Sequence, residues 1–225
     1  MTVKLARLEA FVYRAPIDTP VQTSFGIMRD RPAVFVRVTD TEGATGWGEV
    51  WCNFPTVGAE HRARLVESVF APLLEGKAIA SPESAFLALT AQTDVLAIQC
   101  GEPGPVAQCI AGIDIALWDL HARRRKQPLW RLLGGNSATI PVYASGLNPT
   151  APEKLAAQKR AEGYRAFKLK VGFGRERDRA NLEALGVTAL DLRCPEATSP
   201  QLIAPFKGNI DLAALERCLV ENRGR

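Results

Sequence analysis

An apolar run long enough to cross a bilayer is missing from this sequence, which removes a helical membrane protein from consideration. The opening residues, MTVKLARLEAFVY, lack the charged start and unbroken apolar block of a secretion signal; they alternate polar and apolar as a strand does. Cysteine is sparse and poorly placed for cross-linking: Cys52, Cys100, Cys109, Cys194 and Cys218 are odd in number, widely spaced and without a CxxC pair. That spacing suggests neither a disulfide framework nor a thiolate zinc site, and a reducing cytoplasm is the expected location. His61 and His121 are the two histidines; with no partner histidine at metal or dyad spacing, both are expected to be structural. An excess of one charge is also lacking, since the formal net charge is only +4. The densest basic cluster, Arg123, Arg124, Arg125 and Lys126, ends a helical pattern, where cations complement the helix dipole. No aromatic residues interleave with it, so neither a nucleic acid nor a membrane is an expected partner. Internal repeats and low-complexity segments are absent as well.

What is present suffices for a real core in one large domain or two small ones. Alternating segments at 5–13, 33–39 and 45–51, the last two joined by DTEGA with its Glu42-Gly43 turn chemistry, predict an antiparallel meander. Helical patterns follow at 60–74, ended by Gly76; at 81–97, with Ser81 as N-cap and Pro82 first in the helix; and at 105–125. In the third, Val106, Ile110, Ile113, Leu117 and Leu120 recur at helical spacing and are expected to be core. The break LLGGNSA (132–138) marks a domain boundary. Beyond it the order is strand (IPVYASG, 140–146), helix (152–162), strand (166–171), helix (176–185), the alternation of parallel βαβ units.

The second of these strands, AFKLKV, carries Lys168 and Lys170 on one face and Phe167, Leu169 and Val171 on the other. An amphipathic strand with its lysines in water accounts for that pattern. Parallel strands flanked by crossover helices, however, are covered on both faces, and there the lysines would point into a sheet interior or barrel mouth. Two ammonium groups roughly 7 Å apart repel by about 2 kcal/mol at an effective dielectric near 20, enough to bring one of them towards neutrality as a general base. The neighbouring VGFGRER (171–177) lacks the third glycine of a phosphate loop and reads as a plain βα loop.

Lys-x-Lys on this strand, preceded by GWGEV (46–50), AGIDIALWDL (111–120) and QPLWRLLGG (127–135), resembles the enolase superfamily, in its mandelate racemase and muconate lactonizing enzyme branch, over residues 1–185. The resemblance implies an α+β cap domain (1–135), an antiparallel meander plus helices, followed by the first units of a (β/α) TIM-type barrel (136–185). It implies Mg²⁺-dependent removal of a proton next to the carboxylate of a small substrate such as an acid sugar or hydroxy acid, leading to racemisation, dehydration or cycloisomerisation. Lys170 would be the base, and Lys168 would tune it and help hold the carboxylate. Two cap segments, TPVQTSFGIMRD (19–30) and WCNFPTVGAEH (51–61), would be loops that choose the substrate, with Phe25 and Asn53 as contacts. A homo-oligomer is expected.

The pattern departs from the family beyond residue 185. A barrel needs roughly 200 residues or more, and residues 139–225 are far fewer, so an incomplete barrel with an atypical tail (186–225) is expected. Segments like VDAN and EEP, which would carry the acidic metal ligands, are missing; Asp191 in GVTALDLRC is the nearest candidate and a doubtful one. SPQLIAPFKGN reads as loop and 211–222 as a short amphipathic helix. The expectation is a truncated or frame-disrupted member that does not bind Mg²⁺ and has little or no activity alone. The alternatives are a non-catalytic cap that oligomerises through unpaired strand edges, or a binding protein for anionic metabolites.

Overall fold

The computed structural model describes residues 2–23, 26–55, 57–186 and, as backbone, 201–205. They form two compact units, one comprising residues 1–20 and 28–138, the other residues 21–27 and 139–225.

In the first unit the alternating segments become strands β1 (Val3–Gln22), β2 (Ile27–Asp40) and β3 (Thr45–Val50), joined by the short β4 (Ala78–Ile79) into an antiparallel sheet of order β3-β2-β1-β4. Pairing of β2 with β3 runs from Val34↔Val50 to Thr39↔Thr45, which puts Val34, Val36, Val38 and Val50 together on the buried face. Phe35 and Trp47 stand on the other face. The expected turn at Glu42-Gly43 forms around Asp40, whose Oδ1 accepts the amides of Glu42 (2.9 Å) and Ala44 (2.8 Å). Gly43, with φ of +85°, supplies the left-handed step.

Residues 19–30, expected as a loop, are mostly strand. β1 continues to Gln22 and β2 starts at Ile27, leaving a turn in which the Thr23 hydroxyl donates to the Gly26 carbonyl (2.8 Å) and accepts its amide (2.9 Å). The reason is that Thr19, Val21 and Ile27 suit extended backbone, and adjacent strands satisfy one another's amides.

The helix expected at 60–74 is α1 (Gly58–Leu65), a π-helical turn (Val66–Phe70) and α2 (Ala71–Leu74). The wide turn sits where Pro72 has no N–H to continue the regular ladder. α3 (Pro82–Gln99) begins with a capping box in which Ser81 and Ser84 each accept the other's amide. α4 (Pro103–Arg124) buries Val106, Ile110, Ile113, Leu117 and Leu120 as the spacing required. It lies directly on β3: a Cβ on Gly48 would stand 2.0 Å from the Gly112 carbonyl oxygen, and one on Gly46 would stand 2.2 Å from that of Ala116. The glycines of GWGEV therefore serve backbone-to-backbone packing. At its C-terminal end Arg124 pairs with Asp40 and with Glu42 (2.9 Å), and Arg123 pairs with Asp119 (2.7 Å), so much of the basic cluster is matched by carboxylates. The short helix α5 (Leu129–Leu132) follows.

The second unit contains β5 (Ala144–Leu147), α6 (Pro152–Ala161), β6 (Ala166–Lys170) and α7 (Arg175–Ala184), with β5 and β6 parallel. β5 begins later than the expected 140–146. The other edge of β6 pairs with β7 (Gln201–Pro205), and this pairing is antiparallel, from Ala166↔Pro205 to Lys170↔Gln201. Residues 201–205 are thus a strand and not loop: the run LIA favours extended backbone, and the edge of β6 offers unpaired amides and carbonyls. Among the described residues the strands do not form a barrel. The segment around Asp191, and the helix expected at 211–222, lie outside the described residues.

Candidate active site

β6 keeps the alternation of its sequence. Phe167, Leu169 and Val171 are each about 5% exposed, while Lys168 and Lys170 are half-buried on the opposite face. Because β5 and β6 are parallel, with Leu147 opposite Leu169, the C-terminal ends of the two strands come side by side. Lys170 is the last residue of β6 and Asn148 the first beyond β5; the Lys170 Nζ donates to Asn148 Oδ1 at 3.2 Å. Asn148 was not anticipated. The available signal was an Asn-Pro pair directly after a strand, in a βα loop of the kind that lines sites in α/β folds.

The loops on either side are tied to α7. Asn181, 8% exposed, donates its side-chain amide to the Pro149 carbonyl at 2.9 Å, and Arg177 reaches the Thr150 hydroxyl at 3.0 Å. Asp178, 4% exposed, accepts the amides of Gly172 (2.8 Å) and Phe173 (3.2 Å). Amides of the glycine loop after β6 are therefore held by an internal carboxylate, which leaves them unavailable as a phosphate cradle.

Of the remaining expected site residues, Phe25 and Asp191 lie outside the described residues. Asn53 is half-buried in the first unit, between the buried Cys52 and the half-buried Phe54. Its segment is anchored from inside by Arg62, only 3% exposed, whose guanidinium donates to Gly58 O (2.9 Å), Phe54 O (3.4 Å) and Gln108 Oε1 (2.8 Å). His61 contacts Glu102 Oε2 at 2.8 Å. His121 packs edge-on against Trp118; burial and the nearby Arg125 hold its pKa below the usual histidine range. Both histidines are occupied in packing and pairing contacts.

No group of three or more His, Cys, Asp or Glu stands together among the described residues in a way that could hold a metal ion. In the loops after β5 and β6, Asp178 accepts two amides and Asn148 Oδ1 accepts from Lys170. A hard cation needs several oxygen ligands, so these residues do not fit Mg²⁺. No helix among the described residues is long and apolar enough to cross a membrane.

Comparison with known proteins bears on the family of the chain. The family model described as mandelate racemase / muconate lactonizing enzyme, N-terminal domain, matches residues 7–134. A 3,6-anhydro-alpha-L-galactonate cycloisomerase of Streptomyces coelicolor is 32% identical over 173 residues, covering 75% of this chain and 46% of that protein. The crystal structure of a mandelate racemase/muconate lactonizing enzyme from Bordetella bronchiseptica RB50 is 58% identical with a TM-score of 0.75, covering 83% of this chain and 49% of that one. A racemase from Streptomyces coelicolor A3(2) with bound magnesium is 31% identical with a TM-score of 0.70, over 81% of this chain and 52% of that one. The chain thus spans about half the length of these relatives. With the meander, the glycine-packed helix and the family match over residues 7–134, the chain belongs to the mandelate racemase and muconate lactonizing enzyme family of the enolase superfamily.

Proposed function

We propose that this chain carries the proton-transfer residues of a family enzyme that acts on the carbon next to a carboxylate, with Lys170 as the base and Lys168 as the cation that pairs with the substrate carboxylate. β5, α6, β6 and α7 are read as the first two units of a (β/α) barrel. The observation that carries this reading is the half-buried Lys170 at the C-terminal end of β6, hydrogen-bonded to Asn148 at the same end of the parallel β5. Ligand sites of α/β folds form at that end of the strands. Asn148 fixes the amine in place while Asn181 and Asp178 hold the loops on either side, so the base is positioned before a ligand arrives. The expected substrates are small carboxylates such as galactonate-type acid sugars, in line with the name of one relative.

Relatives bind magnesium, but the described residues offer no ligand set for it. Calorimetric titration of the chain with Mg²⁺ is expected to show no tight stoichiometric site. The missing ligand set also favours a second reading, in which the two lysines bind an anionic metabolite without turnover. Both readings are tested by following α-hydrogen exchange of mandelate and galactonate in D₂O by NMR, alongside direct binding. On the catalytic reading whatever exchange the chain supports falls by about 10²–10⁴ in Lys170→Ala. Binding that disappears in Lys168→Met with no exchange at any stage would establish the second reading. Exchange that survives Lys170→Ala would remove Lys170 from the chemistry.

A further inference from the structure

Arg14, on β1, bonds to two segments far apart in sequence. Its Nη1 donates to Asp30 Oδ2 at 2.9 Å, while Nε and Nη2 grip Glu60 Oε1 and Oε2 at 2.9 and 2.7 Å. Asp30 closes the segment 19–30 and Glu60 sits in 51–61, the two cap segments read as facing the substrate. A guanidinium is planar and its donors are fixed in direction, so it holds both carboxylates only when the two segments keep one mutual arrangement. The bond from Arg14 also keeps the Glu60 carboxyl below its ordinary pKa, so the link persists through neutral pH. Single exposed ion pairs contribute little, but bidentate geometry and a three-membered network are the conditions under which such pairs matter. The second segment is independently anchored by Arg62 at Gly58 and Phe54, which gives the clamp a firm side to pull against.

We propose that Arg14 is a positioning residue that couples the Asp30 end of the first segment to the Glu60 end of the second, so that a substitution in one is felt in the other. The coupling is measurable without any substrate. The test is hydrogen exchange by mass spectrometry on the whole chain, comparing the native sequence with Glu60→Gln, Asp30→Asn and Arg14→Lys. Glu60→Gln is expected to speed exchange about threefold in the peptide around 27–31, and Asp30→Asn to do the same around 57–62. Arg14→Lys keeps the charge but loses the fork, and is expected to loosen both. Peptides of α4 should be unchanged in all three, which separates coupling from general destabilisation. If each carboxylate substitution loosens only its own segment, or if every peptide speeds up together, the coupling is refuted. Coupling that is present in a chain showing no lysine-dependent exchange chemistry would overturn the functional reading alone.

Discussion

Replacing Gly48 by alanine tests the account of how the cap is packed. The added Cβ would lie 2.0 Å from the Gly112 carbonyl oxygen and 2.8 Å from the Ala116 amide nitrogen, both backbone atoms of α4. A relaxed carbon-to-oxygen contact is about 3.3 Å or more, so helix and strand must part by over an ångström at this point. A side chain could rotate away; a helix backbone cannot. Separation by 0.5–1 Å also forfeits a quarter to a half of the dispersion attraction of each contact it opens. Overpacking ordinarily costs about 1–3 kcal/mol, and a clash between main chains belongs at or beyond the upper end. For a unit of this size about 3 kcal/mol corresponds to a fall in Tm of roughly 10 °C. Urea unfolding followed by tryptophan fluorescence is a suitable assay, because Trp47 and Trp118 lie on the two elements concerned. Gly43→Ala is the control: its Cβ meets open space, but φ of +85° makes alanine cost about 1 kcal/mol. A Gly48→Ala protein within 1 kcal/mol of the parent, or more stable than Gly43→Ala, would refute the close-packing explanation.

Two other outcomes follow from buried groups in the same unit. Burial alone would raise the Asp40 carboxyl, but hydrogen bonds from Arg124 and from the amides of Ala44 and Glu42 more than offset it and leave the pKa below its ordinary value. A carboxylate depressed by folding adds stability above its unfolded pKa of about 4, and that stability is lost as pH falls through the folded value. Asp40→Asn should therefore lower the urea midpoint at pH 7 and flatten the acid limb of the stability curve below about pH 4; an unchanged limb would contradict the assignment. Burial also pushes the Cys109 thiol up to about 12 and raises that of Cys52, whereas Cys100 is exposed. Iodoacetamide at pH 8 should modify Cys100 in the native protein and reach Cys52 and Cys109 only in denaturant, as peptide mapping would show. Equal native labelling at Cys109 would count against the packing of α4.

The sequence was most informative where one local signal was sufficient. Ser81, Pro82 and Ser84 fix a helix start through bonds among near neighbours, and the stripe from Val106 to Leu120 declares a buried face by spacing alone. It was less informative where the partner lies elsewhere in the chain. The family resemblance implies a loop at 19–30, yet two arms of a hairpin stabilise each other there by backbone pairing that sequence pattern does not display. The same holds for residues 201–205, whose strand depends on the edge of β6. In the candidate site, the two lysines could be read from their alternation. Asn148 could not, because its relation to Lys170 depends on the parallel register of β5 and β6 across a sequence separation of 22.

Family membership and the proposed chemistry rest on different parts of this chain. The matched residues 7–134 include Gly46, Gly48, Gly112 and the helix stripe, whose roles in the structure are contacts between backbone and core. Those roles constrain sequence strongly, because a misplaced methyl group is costly in a close-packed interior. They do not constrain which bond of a substrate is broken. The residues proposed above to move a proton, Lys170 and Lys168 with Asn148 beside them, lie beyond residue 134. Substitutions that damage the cap should therefore register first in stability, and substitutions at the strand ends in proton transfer. If Lys170→Ala proved as destabilising as Gly48→Ala, the lysine face would have to be counted as part of the core, and the division between scaffold and chemistry drawn here would fail.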